Sequence, residues 1–232
     1  PHVNSLPTMD VVLESLKRNG IAFDLYDQVR IEPTDRSFQA GIKYAEKSKY
    51  QGFIAVGGGS TIDTAKAVNL YTTYPANFLD YVNKPIGKGM PPPGPLKPLI
   101  AIPTTAGTGS ETTGVAIFDL ENLHTKTGIA HRHLKPTLGI VDPNNTLTLP
   151  SAVAASTGLD VLSHAVESFT ALPFDERPYP SKPLLRPAYQ GSNPISDIWA
   201  LKALKIVSRF LLRAVKDPHD ERARSQMLLA SS

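Results

Sequence analysis

Three consecutive glycines at positions 57–59 constrain the fold more than any other feature of this sequence. The residues before them, 53–56, are apolar enough for a buried strand, and the residues after them follow helical spacing with Ser60 available as a cap. A strand-to-helix turn of this kind points free backbone N–H groups at one place, and glycine lets an anion approach without meeting a Cβ. The sequence therefore predicts a turn that can bind a phosphate.

The same residues are also compatible with an ordinary strand-to-helix turn that binds no ligand. No standard nucleotide-binding motif decides between the two interpretations. No Gly-Lys-Ser/Thr follows the glycines, which argues against a P-loop triphosphatase. The pattern G-x-G-x-x-G is not met, because Thr61 and Ile62 follow Ser60. A phosphate bound at this turn is therefore expected to be held by contacts other than those of a P-loop or a G-x-G-x-x-G motif.

The composition excludes several classes of protein. At 232 residues and 41% hydrophobic, the chain can bury a sizeable core, and its net charge of +3 comes from scattered lysines and arginines that do not suggest a nucleic-acid surface. No apolar stretch reaches the length of a membrane span. The absence of cysteine excludes disulfides, zinc–cysteine sites and thiol catalysis, so a metal would have to be bound by His, Asp or Glu.

The first half of the chain alternates between helical and strand-like segments. Helices are predicted at 8–19, 34–49 and from 60, and strands at 21–26, 53–56, 99–105, 112–120 and 137–143. This alternation predicts an α/β domain with a parallel sheet and helices on both faces. Ligands of such sheets bind beyond the carboxyl ends of the strands, where the glycines and the sequence PTTAGTGSE both fall.

The pattern changes after residue 146. Helices are predicted at 151–170, 194–216 and 218–229, with few strand-like runs between them. We therefore expect an α/β domain over 1–146 and an all-helical domain over 147–232. The proline-dense segment 171–194 is expected to be a functional or mobile loop.

The sequence IPTTAGTGSETT, residues 102–113, places six hydroxyl side chains and two glycines directly after a predicted buried strand. So many donors at a strand end could hold a phosphate, a ribose or an amide. The alternative is a loop whose hydroxyls satisfy their own backbone.

Asp160 and His164 stand four residues apart in a predicted helix and would share one of its faces. Such a pair could bind Fe, Zn, Mn or Co, although two ligands do not complete a site and a solvated surface pair is the alternative. The remaining histidines are simplest to interpret as solvated side chains: His2, His124, His131, His133 and His219. His131 and His133 would face one side of a strand.

Four ordered motifs, GGGSTIDTAK, PLIAIPTTAGTGSETT, KPTLGIVDP and STGLDVLSHAVESF, resemble the iron-containing, group III alcohol dehydrogenase family. Further stretches, VRIEPTD, GVAIFDL and RPAYQGSNPISDIWAL, resemble members that exchange hydride between a hydroxyacid and a 2-oxoacid. The resemblance runs through nearly the whole chain.

The resemblance implies a Rossmann-like dinucleotide-binding domain with its first strand missing, followed by the start of an all-helical metal-binding domain. The residues that would bind NAD are Gly57, Gly58, Gly59, Ser60, Asp63, Thr104, Thr105, Thr108 and Lys126. Asp160 and His164 match the first two metal ligands and would be catalytic, with Fe²⁺ as the expected ion and Zn²⁺ as the alternative. Family members supply two further histidines beyond the point where this chain stops, so we expect a fragment that is inactive alone.

The implied activity is hydride transfer between a 4-hydroxybutyrate-like hydroxyacid and a 2-oxoglutarate-like 2-oxoacid through bound NAD. The substrate carboxylates could meet Arg177, Lys182 or Arg186 of the long loop. Two alternatives remain: an NAD-dependent dehydrogenase of simpler alcohols, and a nucleotide-binding fragment without catalysis. We expect no nucleic-acid or membrane partner, a homo-oligomer at full length, and a cytoplasmic location in a bacterium or a mitochondrial one in a eukaryote.

Overall fold

The computed structural model describes residues 2–182, 186 and 189–232, which form two compact units. Unit 1 comprises Pro1–Pro103 and Ser110–Ile140, and unit 2 comprises Thr104–Gly109 and Val141–Ser232. The assignment of domains to 1–146 and 147–232 stays a prediction for the whole protein.

Unit 1 contains four helices and five strands among the described residues. The helices are α1 (Pro7–Arg18), α2 (Asp35–Ala45), α3 (Gly59–Thr73) and α4 (Phe78–Tyr81). The strands are β1 (Phe53–Gly57), β2 (Leu99–Pro103), β3 (Val115–Leu120), β4 (Thr125–Ala130) and β5 (Leu138–Gly139). The predicted α/β class is confirmed.

A parallel sheet forms the centre of unit 1, as the alternation of the sequence predicts. Its strand order is β1-β2-β5, and the register sets Phe53 opposite Leu99 and Gly57 opposite Pro103. Both long strands are apolar. β2 is largely buried, as expected of a central parallel strand, whereas β1 at the edge of the sheet leaves Ile54 exposed. The carboxyl ends of β1 and β2 therefore lie side by side.

The strand predicted at 112–120 forms as β3, but it does not join the parallel sheet. β3 pairs antiparallel with β4, and the short 3-10 helix Glu121–Leu123 connects the two strands. A connection this short permits only an antiparallel return, because a parallel crossover needs a dozen or more residues. Strand β4 was not predicted, since its sequence, TKTGIA, has too little apolar character.

The predicted strand at 21–26 is wrong. These residues form no β-ladder with any part of the chain that the structure describes, and the side chains of Ile21, Phe23 and Leu25 are exposed. The carbonyl of Leu25 accepts a hydrogen bond from the Tyr44 hydroxyl of α2. Apolar alternation alone does not make a strand when no neighbouring strand is present to pair with it.

Helices α2 and α3 pack with β3 and β4 around one apolar core. Phe38 and Phe118 are fully buried in it, with ring centroids 5.3 Å apart. Thr34 and Ser37 form a capping box that fixes the start of α2.

Unit 2 is helical, and its helices are α5 (Ser151–Thr170), α6 (Pro194–Lys216) and α7 (Glu221–Ser231). The predicted bounds of α5 and α6 are confirmed. A Cβ at Gly158 of α5 would lie 2.2 Å from a methyl carbon of Leu211, so this glycine lets α5 and α6 approach closely. Asn193 caps α6, and Asp220 caps α7.

None of the helices in the described part of the chain combines the length and apolar character that crossing a membrane requires.

Candidate functional site

The glycine turn, residues 57–60, joins β1 to α3. Gly58 occupies the N-cap position of α3 with an extended backbone and has no side chain to cap the helix. A Cβ at Gly57 would lie 2.4 Å from Oγ1 of Thr61, so the strand can enter the helix this tightly only through glycine. The turn thus combines a helix N-terminus with a backbone surface that carries almost no side chains, as an anion site requires.

The threonine segment, residues 104–109, follows the end of β2. Because Gly57 is paired with Pro103, the glycine turn and the threonine segment continue from adjacent strand ends. Thr104 is buried, Thr105 is half-buried and Thr108 is exposed. Ligands of parallel sheets bind at such carboxyl ends.

The threonine segment packs against α5 within unit 2. A Cβ at Gly107 would lie 2.8 Å from Cβ of Thr157, and Ala106 lies in the apolar cluster that contains Val161. Thr157 and Val161 flank Asp160 on the helix. The segment is therefore packed against the stretch of α5 that carries the first candidate metal ligand, a contact that the sequence did not reveal.

The side chains of Asp160 and His164 meet on the surface of α5. Oδ1 of Asp160 lies 3.6 Å from Nε2 of His164, and the side chains are 39% and 54% exposed. Two ligand atoms that each lie about 2.1 Å from one tetrahedral ion are about 3.4 Å apart. The pair fits two positions of a divalent metal site, with one oxygen and one nitrogen donor.

No group of three or more His, Asp or Glu side chains with metal-binding geometry occurs among the residues that the structure describes. His131 and His133 lie at the 3-10 helix Arg132–Leu134 rather than on the predicted strand, with ring centroids 4.7 Å apart. Nδ1 of His131 accepts the backbone N–H of His133. Burial lowers the pKa of His131, and the neighbouring His133 and Arg132 lower it further, so its neutral form is favoured.

Asp63, one turn into α3, directs its carboxylate at the β3 strand. Oδ2 accepts the backbone N–H of Ile117 at 3.0 Å, and Oδ1 lies 3.5 Å from Nζ of Lys66. Burial raises the pKa of Asp63, while Lys66, the Ile117 amide and the Ser110 hydroxyl oppose that shift. Asp63 is therefore engaged in contacts within unit 1.

Lys66 is a buried charge whose importance the sequence reasoning missed. Its side chain is fully buried on α3, and burial lowers its pKa against the opposing charges of Asp63 and Glu111. The signal in the sequence was the spacing of three residues between Asp63 and Lys66, which places a carboxylate and an ammonium on one side of a helix.

The other predicted site residues lie apart from these clusters. Lys126 is exposed on β4, opposite Asp119 in the hairpin. In the long loop, the guanidinium of Arg177 lies 5.6 Å from the ring centroid of Tyr189, and Lys182 and Arg186 are exposed.

The sequence model of iron-containing alcohol dehydrogenases matches residues 2–143 of this chain. The chain therefore belongs to the iron-containing alcohol dehydrogenase family. It is 61% identical over 233 aligned residues to the mitochondrial hydroxyacid-oxoacid transhydrogenase of Bos taurus, covering all of this chain and 50% of that protein. The chain thus spans about half the length of the curated relatives that it matches.

Solved structures support the same family. The sulfoacetaldehyde reductase of Bifidobacterium kashiwanohense, crystallised in complex with NAD⁺, is 32% identical with a TM-score of 0.78, over 97% of this chain and 55% of that chain. A 1,3-propanediol oxidoreductase is 27% identical with a TM-score of 0.84, over 99% of this chain and 54% of the other.

Proposed function

We propose that this chain forms part of a metal-dependent oxidoreductase that transfers hydride between a hydroxyacid and a 2-oxoacid through bound NAD. The observation that carries the proposal is the packing of the threonine segment on α5 beside Asp160, whose carboxylate lies 3.6 Å from His164. The family, the bovine transhydrogenase relative and the NAD⁺ complex of the reductase support the chemistry. We propose substrates of the 4-hydroxybutyrate and 2-oxoglutarate type, as the resemblance of the sequence motifs implies, and the name of that relative gives the same two classes, a hydroxyacid and an oxoacid.

The NAD site is proposed at the glycine turn, and the hydroxyls of Thr104, Thr105 and Thr108 are kept as candidates for further contacts with the cofactor. Backbone N–H groups at the start of α3, from Gly59 and Ser60, would bind the pyrophosphate. A threonine hydroxyl can donate and accept hydrogen bonds, as contacts with polar groups of the cofactor would require. Lys126 is kept as a candidate that would approach from the β3–β4 hairpin.

The metal site is proposed at Asp160 and His164, with Fe²⁺ as the expected ion and Zn²⁺ as the alternative. When bound, the ion polarises the oxygen of the substrate hydroxyl or carbonyl, and NAD accepts or returns the hydride. Asp160 and His164 present their donor atoms on one face of a 20-residue helix, 3.6 Å apart, and would hold the ion together.

Both proposed substrates carry carboxylates, and the long loop offers a positively charged side chain in a defined place. The guanidinium of Arg177 packs over Tyr189, and its Nε lies 3.5 Å from the Leu172 carbonyl oxygen. A planar guanidinium can bind a carboxylate through two parallel hydrogen bonds. We propose Arg177 ahead of the exposed Lys182 as the carboxylate ligand.

A turnover assay of the full-length protein tests the proposed function. Purified protein is mixed with 4-hydroxybutyrate and 2-oxoglutarate without free NAD, and formation of 2-hydroxyglutarate is followed. Product formation under these conditions supports an exchange through retained cofactor. Activity that appears only with added NAD, and with simple alcohols as well, would instead identify a dehydrogenase of simpler alcohols.

Gly58→Val is expected to weaken NAD binding in the full-length protein by at least about 1 kcal/mol, roughly fivefold in Kd. The backbone of Gly58, with φ −78° and ψ −174°, suits a β-branched residue, so the variant should fold. The new side chain would occupy space that the pyrophosphate needs. Isothermal titration calorimetry measures the effect, and Gly58→Ala should give a smaller loss. Unchanged affinity in a valine variant with native circular dichroism would refute the site.

The 232-residue chain expressed alone is expected to show no significant turnover. Asp160 and His164 provide two donors, and the described residues bring no third His, Asp or Glu to them. A two-ligand site binds metal weakly. The check is an assay of the purified chain with both substrates and added Fe²⁺ or Zn²⁺. Turnover that His164→Ala abolishes would show that this chain completes the site by itself.

The proposal extends to the location and the assembly of the protein. The bovine relative is named as a mitochondrial protein, and we propose the same compartment for this chain if its source is a eukaryote. Homo-oligomerisation at full length remains our expectation.

A further inference from the structure

The ammonium group of Lys66 is completely enclosed and hydrogen-bonded. It donates to the Val115 carbonyl at 2.7 Å and to Oγ1 of Thr113 at 3.2 Å, and it lies 3.5 Å from Oδ1 of Asp63. The first two contacts are hydrogen bonds, and the third is an ion pair to a buried carboxylate oxygen that makes no hydrogen bond. The Lys66 side chain therefore connects α3 to residues 113–115 through hydrogen bonds, and it is too deeply buried to contact a ligand.

Asp63 makes the complementary link. Its second carboxylate oxygen accepts the Ile117 amide, and the Ser110 hydroxyl also acts on the carboxylate. Together, Asp63 and Lys66, the buried pair, connect one face of α3 to residues spread over 110–117. The charged groups that act on the pair are its own two members and the buried Glu111.

The buried pair lies in the first two turns of α3, directly after the glycine turn. On the other side of that turn, Gly57 of β1 is paired with Pro103 of β2. The glycine turn is thus held within unit 1 from both sides, by the pairing of β1 with β2 and by the contacts of the buried pair with residues 110–117.

We propose that Asp63 and Lys66 are positioning residues: they hold the first turns of α3 against residues 110–117 and so fix the glycine turn from which this helix begins, without touching the cofactor. This inference rests on the proposed NAD site. It changes the role of Asp63 from a cofactor ligand to an internal anchor and adds Lys66, whose side chain no ligand can reach.

An ionic anchor suits this task better than an apolar one. Apolar side chains would bury the same volume but would accept several registers of the 110–117 segment. The ammonium and Oδ2 of the carboxylate make their hydrogen bonds only when the Val115 carbonyl and the Ile117 amide face them together. The pair therefore selects one register.

The test compares the full-length wild-type protein with Asp63→Asn, Lys66→Met and the double variant, with Lys43→Met of the exposed face of α2 as a matched control. Calorimetry gives the Kd for NAD, and hydrogen exchange gives the protection of the Ile117 amide without cofactor. We expect each single variant to raise Kd at least tenfold and to accelerate exchange across 110–117. Lys43→Met should change neither quantity. The double variant should raise Kd by less than the product of the two fold-changes measured in the single variants.

A pH series separates positioning from general loosening. In Lys66→Met the unpaired Asp63 carboxylate favours its protonated form, so NAD affinity should recover as the pH falls. In Lys66→Met with Asp63→Asn the affinity should not depend on pH in this way, because the titrating group is gone.

The outcomes distinguish the two proposals. A wild-type protein that does not bind NAD overturns the proposed function together with this inference. A wild-type protein that binds NAD, with folded single variants that bind it equally well, overturns only the positioning role. Faster exchange at 110–117 with unchanged Kd overturns it too. If Lys66→Met does not fold, Asp63→Asn decides, since its amide oxygen can still accept from Ile117.

Discussion

In the full-length protein, His164→Ala is expected to release the divalent metal and to abolish turnover while leaving NAD binding nearly unchanged. The substitution removes one of the two side chains that meet on α5, and Asp160 remains as a single carboxylate ligand. Loss of a directly bound ligand should lower metal affinity by more than the 10- to 100-fold typical of outer-shell changes, so at least about 100-fold. NAD affinity should persist because the glycine turn, which is proposed to bind the pyrophosphate, contains neither of the two metal ligands.

Metal content by mass spectrometry and NAD titration check this expectation on the same preparation. His219→Ala is the matched control, since His219 is exposed in the turn before α7. A variant that keeps one metal per chain and full turnover would make Asp160 and His164 an ordinary surface pair.

Lys66→Met should lower the free energy of unfolding by about 3–5 kcal/mol, the usual effect of removing one partner of a buried ion pair. The methionine fills the volume of the lysine stem but leaves the Asp63 carboxylate without its counter-charge, and it leaves the Val115 carbonyl without its donor. Replacing both residues, as Asp63→Leu with Lys66→Met, should destabilise less than Lys66→Met alone, because no isolated charge remains. Urea denaturation of the three proteins measures the difference.

The loss of unfolding free energy caused by Lys66→Met should be smaller at acidic pH. Burial already raises the pKa of Asp63 in the native protein, and Lys66 is the largest effect opposing that rise, so its removal raises the folded pKa further. A carboxyl whose folded pKa exceeds its unfolded value of about 3.9 is most favourable below that value and loses stability as the pH rises through the folded pKa. The difference in the free energy of unfolding between Lys66→Met and the wild type should therefore increase from acidic to neutral pH.

The long, strongly patterned elements could be predicted from the sequence. Helices α5 and α6 were predicted at their observed bounds, because apolar residues recur at helical spacing over many turns. The β1–glycine–α3 unit was predicted because an apolar run, three glycines and a periodic stretch each require a different backbone. Elements that depend on a distant partner were not: β4 has no apolar pattern, and residues 21–26 have the pattern without a neighbouring strand.

The candidate site shows the same division. The approach of Asp160 to His164 follows from their spacing on one helix, so the sequence alone predicted it. The packing of Gly107 against Thr157 joins residues fifty positions apart and has no local signal. The burial of Lys66 likewise depends on β3 covering α3, and a lysine in a helix is otherwise expected to reach solvent.

Two neighbouring residues of helix α5, Thr157 and Gly158, each take part in a close contact that only a glycine permits. At Thr157 the helix meets Gly107 of the threonine segment, and at Gly158 it meets Leu211 of α6, with no space for a Cβ in either place. These contacts oppose rotation of α5 about its own axis, so the backbone positions of Asp160 and His164, about one and two turns further on, are set before a metal binds. Less backbone entropy is then lost on binding. A bulky residue at Gly107 would loosen the ion's coordination without touching a ligand.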